Sequence, residues 1–311
     1  MTAVLDRPRA VSALRSPATL RRLALGSVLV NVLIVVTGGV VRLTDSGLGC
    51  PTWPSCTDAS LTPTKAYSFH GIIEFTNRQL TFLVALFAIA TWIVALLRRE
   101  ERTLATVAAA SIPAQAVLGG LTVRTHLNPW LVAAHFLLSM AILLVTGWLW
   151  WRVRLHTAYV AVPGAARALA WATVAVAAAA LAIGTVVTGA GPHAGDLDSS
   201  GKVRRIGLRV SSMAQLHADS VMILIGASVG LLAVLYAVHA GIGAIRAAWV
   251  LVAVELAQGV IGYTQYFLHV PPLLVGFHMF GACLVWLAAL NVLARLEPLA
   301  RPRAVLAAMT T

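Results

Sequence analysis

Charge is scarce in this chain. Asp and Glu number 11 among 311 residues, and charged residues of both signs make up only 11%, against about 25% in a soluble domain. That shortage excludes a water-solvated globule. With 59% hydrophobic residues and a mean hydropathy of +0.85, the chain is solvated mainly by lipid. No nucleic-acid-binding module accompanies the net charge of +12, so the basic residues are read as topology determinants and no nucleic-acid partner is expected. Nor does a cleavage site follow the first apolar run, which is therefore a retained first helix rather than a signal peptide.

What is abundant is apolar sequence in long runs. A span needs about 20 such residues to cross the hydrocarbon core, and runs lie near 23–43, 70–97, 104–124, 130–151, 168–190, 213–239, 247–268 and 273–294. An even number puts both termini on one side. Basic residues concentrate on that side, in 1–22, 98–102, 152–167, at Arg246 and in 295–303, which predicts a multi-pass membrane protein with cytoplasmic termini. Fewer lie outside: Arg42, Lys65, Arg124, Lys202, Arg204, Arg205 and Arg209. The last four crowd the loop 191–212, an exception to the topology rule that suits an acidic partner or lipid headgroups. The outer loop 44–69 reads TDSGLGCPTWPSCTDAS over its first part and holds Cys50 and Cys56. Disulfides persist in such a compartment, so a bridge is expected, with a reactive thiol pair as the alternative. Cys283, within the last span, reads as a small buried apolar residue.

A duplication organises the chain. Residues 114–135 (AQAVLGGLTVRTHLNPWLVAAH) match 257–278 (AQGVIGYTQYFLHVPPLLVGFH) at a constant offset of 143 without gaps. The shared positions include Gln115/Gln258, Gly119/Gly262, His126/His269, Pro129/Pro272 and His135/His278; apolar composition alone would not align Gln, Pro and two His. The first span ends in VVTGG (35–39) and the fifth in VVTGA (186–190). The fold class is therefore an all-α integral membrane protein of eight transmembrane helices, arranged as two pseudo-symmetric four-helix bundles. The predicted divisions are a segment 1–22, a first bundle 23–151, a linker 152–167, a second bundle 168–294 and a tail 295–311.

Ionisable groups inside a span usually face the bundle interior and serve function. His70, His135, His217 and His278 fall near the outer ends of the even-numbered spans, where facing helices can hold a cofactor between them. A pair on helices 6 and 8 suits axial ligation of a heme iron. Structural zinc is disfavoured, since it wants four nitrogen or sulfur ligands close together. His126 and His269 belong to short turns before Pro, where interfacial hydrogen bonding is their expected role. His156, His193 and His239 lie at loops or helix ends. In FHGIIEFTNRQLT, His70, Glu74 and Asn77 share one helix face, and Glu74 is placed for a salt bridge to Arg78. A carboxylate within a span is costly, which favours a functional role for Glu74. Glu255 and Asp219 are further acids within spans, with no evident partner. The pairs Gly38–Gly39 and Gly119–Gly120 are expected to permit close helix approach.

The segments VVTGGVVRLTDSGLGCPTWPSC, EFTNR, AAHF, the helix 6 histidine and GFHMF together resemble the heme A synthase family, in order and over nearly the whole chain. The resemblance implies an enzyme that oxidises the C8 methyl of heme O to the formyl group of heme A, by two hydroxylations and loss of water, for a terminal cytochrome oxidase. It implies a heme b cofactor between His217 and His278, and a substrate heme O site in the first half with His135 as iron ligand and Glu74 as catalytic residue. Asn77 stands where the family carries its helix 2 histidine, which leaves two options: His70 supplies the imidazole, or His135 holds the substrate iron alone. Arg78 is counted with the substrate site. The loop 191–212 lacks a cysteine pair found in some relatives, and its basic residues suit heme propionates. Membrane lipid, heme O synthase and cytochrome oxidase assembly factors are the implied partners; the electron donor is not specified, and a homo-oligomer is compatible. Two other readings stand beside this one. A diheme cytochrome b-like quinol subunit predicts two bis-histidine hemes. A transporter, suggested by the repeat, predicts broken helices around a midplane site.

Overall fold

The computed structural model describes residues 14–63, 68–155, 161–193, 195 and 204–297. His156, Lys65, Lys202, most of the predicted N-terminal segment and most of the tail lie outside the described residues. Among the described residues eight long helices follow one another: α1 Pro17–Leu43, α2 Ser68–Arg98, α3 Arg102–Arg124, α4 Pro129–Arg154, α5 Gly164–Ala190, α6 Val210–Ala237, α7 Ile242–Phe267 and α8 Pro272–Leu296. All eight are long and apolar enough to cross a membrane. Most extend beyond the predicted runs, because a helix continues past the hydrocarbon wherever a cap allows. Ser16 caps α1 by accepting from Ala18 N–H, and Asn128 caps α4 by accepting from Trp130 N–H at 3.0 Å, with Pro129 at the first turn. Two spans stop short of their predicted ends: α6 at Ala237 rather than 239, where His239 turns left-handed with φ 52°, and α7 at Phe267 rather than 268.

The duplication reappears as geometry. Helices α3 and α7 end at Arg124 and Phe267, and α4 and α8 begin at Pro129 and Pro272, each pair 143 apart. Both turns use two consecutive left-handed residues, His126–Leu127 (φ 50° and 53°) and His269–Val270 (φ 60° and 64°). In both, the second residue donates back to the carbonyl five positions earlier, Leu127 to Thr122 at 2.8 Å and Val270 to Gln265 at 2.6 Å. That bond closes the helix end.

Packing follows the same symmetry. Helix α1 touches α2 and α4, and α3 touches α2 and α4, so the first four close a circuit; α5–α8 do the same. Between the halves, α4 meets α8, while α1 meets α8 and α4 meets α5, as a two-fold axis between α4 and α8 requires. At that axis the buried Trp286 indole on α8 donates to Met140 O on α4 at 2.9 Å. The outward faces are apolar: Phe82, Leu86, Ile89 and Ile93 on α2 recur at helical spacing and are all exposed, as lipid contact demands. The inner faces are small, with Ala88, Ala95, Ala105 and Ala108 buried in the first half and Ala170, Ala177, Ala244 and Ala248 in the second. Small residues let membrane helices approach closely.

The ends of the bundle differ. Ion pairs Arg98–Glu100 at 2.7 Å and Arg152–Glu101 at 2.7 Å sit at the end where α2 finishes and α3 begins. The opposite end carries the 44–63 segment, closed by the Cys50–Cys56 disulfide. Trp286→Phe removes this hydrogen bond between α4 and α8, and should lower stability by about 1 kcal/mol, read as a reduced thermal midpoint of the detergent-solubilised protein.

Candidate functional site

A cavity of about 880 Å³ runs through both bundles, with Gly47, Trp53 and Pro54 of the disulfide end among its lining, near the upper limit of about 1,000 Å³ for a small-molecule site. His135, Asn77 and Glu74 line it from the first half, and His217, His278 and Glu255 from the second. The predicted residues are thus largely brought together. His70 is not among the lining residues: it is exposed, and its Nδ1 lies 3.0 Å from Ser46 Oγ.

In the second half the rings of His217 on α6 and His278 on α8 lie 6.2 Å apart by centroid, inclined at 75°. A metal–imidazole bond is about 2 Å and the centroid sits about 1 Å behind its nitrogen, so two imidazoles on opposite sides of one ion stand about 6 Å apart. His217 Nδ1 is 3.1 Å from Ala180 O on α5. A carbonyl only accepts, so Nδ1 carries the proton and Nε2 keeps a free lone pair, the arrangement that orients a histidine ligand. Close approach of α5 makes room for it: a Cβ at Gly184 would stand 3.1 Å from His217 Cε1.

The first half has one such imidazole. His135 on α4 lies against Gly119 of α3, where a Cβ would stand 3.0 Å from its Cε1. Gln115 Nε2 donates to His135 O at 3.0 Å and to Ser139 Oγ at 2.6 Å, fixing the register of α3 against α4. The Nδ1 atoms of His135 and His278 are both buried without a partner, and so are the Oε1 atoms of Gln115 and Gln258. These are repeat-equivalent pairs. Asn77 on α2 lines the cavity, and its Oδ1 accepts from Thr37 Oγ1 at 2.7 Å, which leaves its amide hydrogens for another acceptor.

Glu74 is buried, and its surroundings are unlike those of a free carboxylate. Oε2 accepts from Cys50 N–H at 2.7 Å, and Oε1 accepts from Arg78 Nη2 at 2.5 Å and Nε at 3.1 Å. Arg78 also donates to the carbonyls of Cys50, Thr52 and Ser55. The ion pair clasps the disulfide loop and seats Trp53, another lining residue, over α3, where a Cβ at Gly120 would stand 2.5 Å from the indole.

The surroundings of three cavity-lining residues escape a reading of the sequence. Trp53 is invisible because its loop has no periodicity. Arg42, counted with the outer basic residues, instead lines the cavity, and joins the halves by donating to Thr188 O at 2.9 Å and to His193 O. Glu255 has a partner after all, Ser228 Oγ at 2.8 Å. Asp219, by contrast, is exposed and accepts from Gln215 at 2.7 Å, so it is no interior acid. Of the glycine pairs, Gly39 admits Met279 of α8, whose sulfur would stand 2.8 Å from a Cβ there.

Glu74→Gln places an amide donor against either the Cys50 N–H or Arg78. It should loosen the loop at a cost of about 1–3 kcal/mol, measured as faster proteolysis within 47–56 and a lower thermal midpoint.

The chain is similar to heme A synthase of Geobacillus thermodenitrificans, 29% identical over 136 residues that cover 42% of each chain. It is similar to heme A synthase of Listeria innocua, 32% identical over 124 residues covering 37% of this chain and 39% of the relative. Heme A synthase of Geobacillus kaustophilus is 26% identical over 135 residues, 42% of each. The matched stretches therefore span about two fifths of these relatives. The family model described as cytochrome oxidase assembly protein (COX15-CtaA) matches residues 21–290, all eight helices except the outermost turns of the first and last. The chain belongs to the COX15-CtaA family of cytochrome oxidase assembly proteins.

Proposed function

We propose that this protein is a heme A synthase of the plasma membrane, with cytoplasmic termini, oxidising the C8 methyl of heme O to the formyl group of heme A for a terminal cytochrome oxidase. The observation that carries the proposal is the inequality of the two halves. His217 and His278 stand as a pair at ligand spacing, whereas His135 shares its half of the cavity with an amide, Asn77. One half is built to hold an iron on both faces and the other on one.

The donor set around His217 and His278 fits a heme b. The His217 tautomer is set by Ala180, His278 Nδ1 is orphaned, and the neighbouring helices present glycine at Gly184 and Gly262. Heme b bound there supplies a one-electron carrier. In the first half, His135 positions the iron of heme O as substrate, its backbone held by Gln115. Asn77 keeps its amide hydrogens for the substrate while Thr37 occupies its oxygen. Glu74 lines the wall with both oxygens engaged, so it acts as a fixed negative charge near the reacting methyl rather than as a travelling proton carrier. Arg78 and the disulfide loop exclude water above it. His70, outside the lining, takes no iron. The diheme reading needs a second imidazole in the first half, and the lining offers only His135.

Protein purified from cells that make heme O should show a bis-imidazole heme spectrum and yield heme A on extraction and chromatography. His217→Ala or His278→Ala should abolish that spectrum. His135→Ala should keep it and lose heme A. No heme A from the wild type, or a spectrum indifferent to both second-half substitutions, would overturn the assignment.

A further inference from the structure

Glu255 stands at the middle of α7, is 1% exposed, and belongs to no ion pair found among the described residues. Ser228 on α6 donates to Oε1 at 2.8 Å, while Oε2 is buried with no partner. From there towards the disulfide end, α7 carries Gln258 and Gln265, seven residues apart and so on one face. Their Oε1 atoms are also buried and unpartnered, as is His278 Nδ1, and all four residues line the cavity. The first half has no such series. At the 143-residue offset, Ile112 replaces Glu255 and Thr122 replaces Gln265, and the Thr122 hydroxyl is spent on Gly119 O.

A row of buried acceptors facing a cavity calls for donors, which are water or an acid proton. Amide oxygens can order water but cannot take up a proton at ordinary pH. Of these four residues only the carboxyl and the imidazole can gain a proton, and in the heme reading His278 gives Nε2 to the iron and keeps its proton on Nδ1, so Glu255 is the member free to change charge. The helices packed against α7 carry His217, Asp219 and Tyr236 on α6, and His278, Cys283 and Arg295 on α8. Only the two histidines among them line the cavity with Glu255; Asp219 is exposed and Arg295 binds Asn291 near the far end. The charge nearest to matter for Glu255 is therefore the one on the iron those histidines would hold.

We propose that Glu255 takes up one proton when a one-electron membrane reductant delivers an electron to the heme held by His217 and His278, and returns it along the amide row when the electron leaves. This rests on the heme b reading above. In balance, one electron turns ferric iron ferrous, one proton turns the carboxylate into the acid, and the charge of the bundle is unchanged; oxidation reverses both. The coupling is Coulombic. Reduction removes a positive charge from a site poorly screened by water, and with it the attraction that favours the carboxylate. Protonation restores the balance.

A mediator titration of the heme absorbance in the full-length, heme-loaded protein tests this at several pH values. The wild-type midpoint potential should fall as pH rises, and Glu255→Gln should flatten that slope while keeping the bis-imidazole spectrum. An unchanged slope in that variant overturns the proposal. Should Glu255→Gln fail to hold heme, the reduced-minus-oxidised infrared spectrum serves instead. It should contain a protonated-carboxyl band that moves to higher wavenumber in Ser228→Ala, which removes the hydrogen bond to Oε1; no band, or an unmoved one, overturns the proposal. A wild type without heme absorbance sinks the heme b reading and this proposal with it. A pH-independent midpoint in heme-loaded wild type sinks this proposal alone.

Discussion

Hydrocarbon supplies no hydrogen-bond partners, so every polar group inside these helices must be answered from within the protein. Most are. Asn31 donates to Ser27 O at 2.7 Å, Ser27 and Thr91 hydroxyls meet at 3.0 Å, and Thr146 bonds back to Ile142 O at 2.9 Å. Against that background the unanswered atoms stand out by position. Six of the seven belong to Gln115, His135, Glu255, Gln258, Gln265 and His278, all lining one cavity. A membrane protein that satisfies its isolated polar groups and leaves these together has a space meant to be filled by something polar enough to answer them.

Duplication explains where that space lies, and divergence explains what each half does with it. The turn at 126–129 and its copy at 269–272 start α4 and α8 at the same level, so His135 and His278 enter the cavity at matching depth. Gly119 and Gly262 recur behind them for the same reason. The partner positions have not kept step. On α6 the facing residue is His217; on α2 it is Asn77, held by Thr37. An imidazole pair closes an iron on both sides and suits electron transfer, whereas a single imidazole leaves a face and the porphyrin edge accessible to chemistry.

Much of this was legible in the sequence, and the reasons are physical. Span number and order followed from run length, since a span cannot be much shorter than the hydrocarbon is thick. The 143-residue register located His135 and His278 because Gln, Pro and His rarely align by chance within apolar runs. Helix-face arithmetic paired Glu74 with Arg78. Arithmetic along one helix is blind to other helices, however. His70 shares a face with Glu74, yet lies at the start of α2, beyond the cavity, and turns to Ser46. Arg42 read as a topology charge because its acceptors, the carbonyls of Thr188 and His193, lie about 150 residues away. The same blindness hid Ser228 from Glu255 and Trp53 from Gly120.

Glu74 shows how a carboxylate within a span is accommodated. An acid in a span invites a catalytic reading because an unpaired carboxylate there is expensive. Here the expense is met locally: a guanidinium and a backbone N–H take up its oxygens, and the same guanidinium gathers three loop carbonyls. Setting Asn77 opposite His217 puts Ala214 and Ala218 where Glu74 and Arg78 stand. The half with no clasped disulfide loop above it carries no ion pair at those positions, and the half with the loop does. The carboxylate and the loop therefore belong to one device. In the proposed enzyme that device would do two things at once: hold Trp53 and the loop over the half of the cavity that contains His135, and keep a fixed charge beside it.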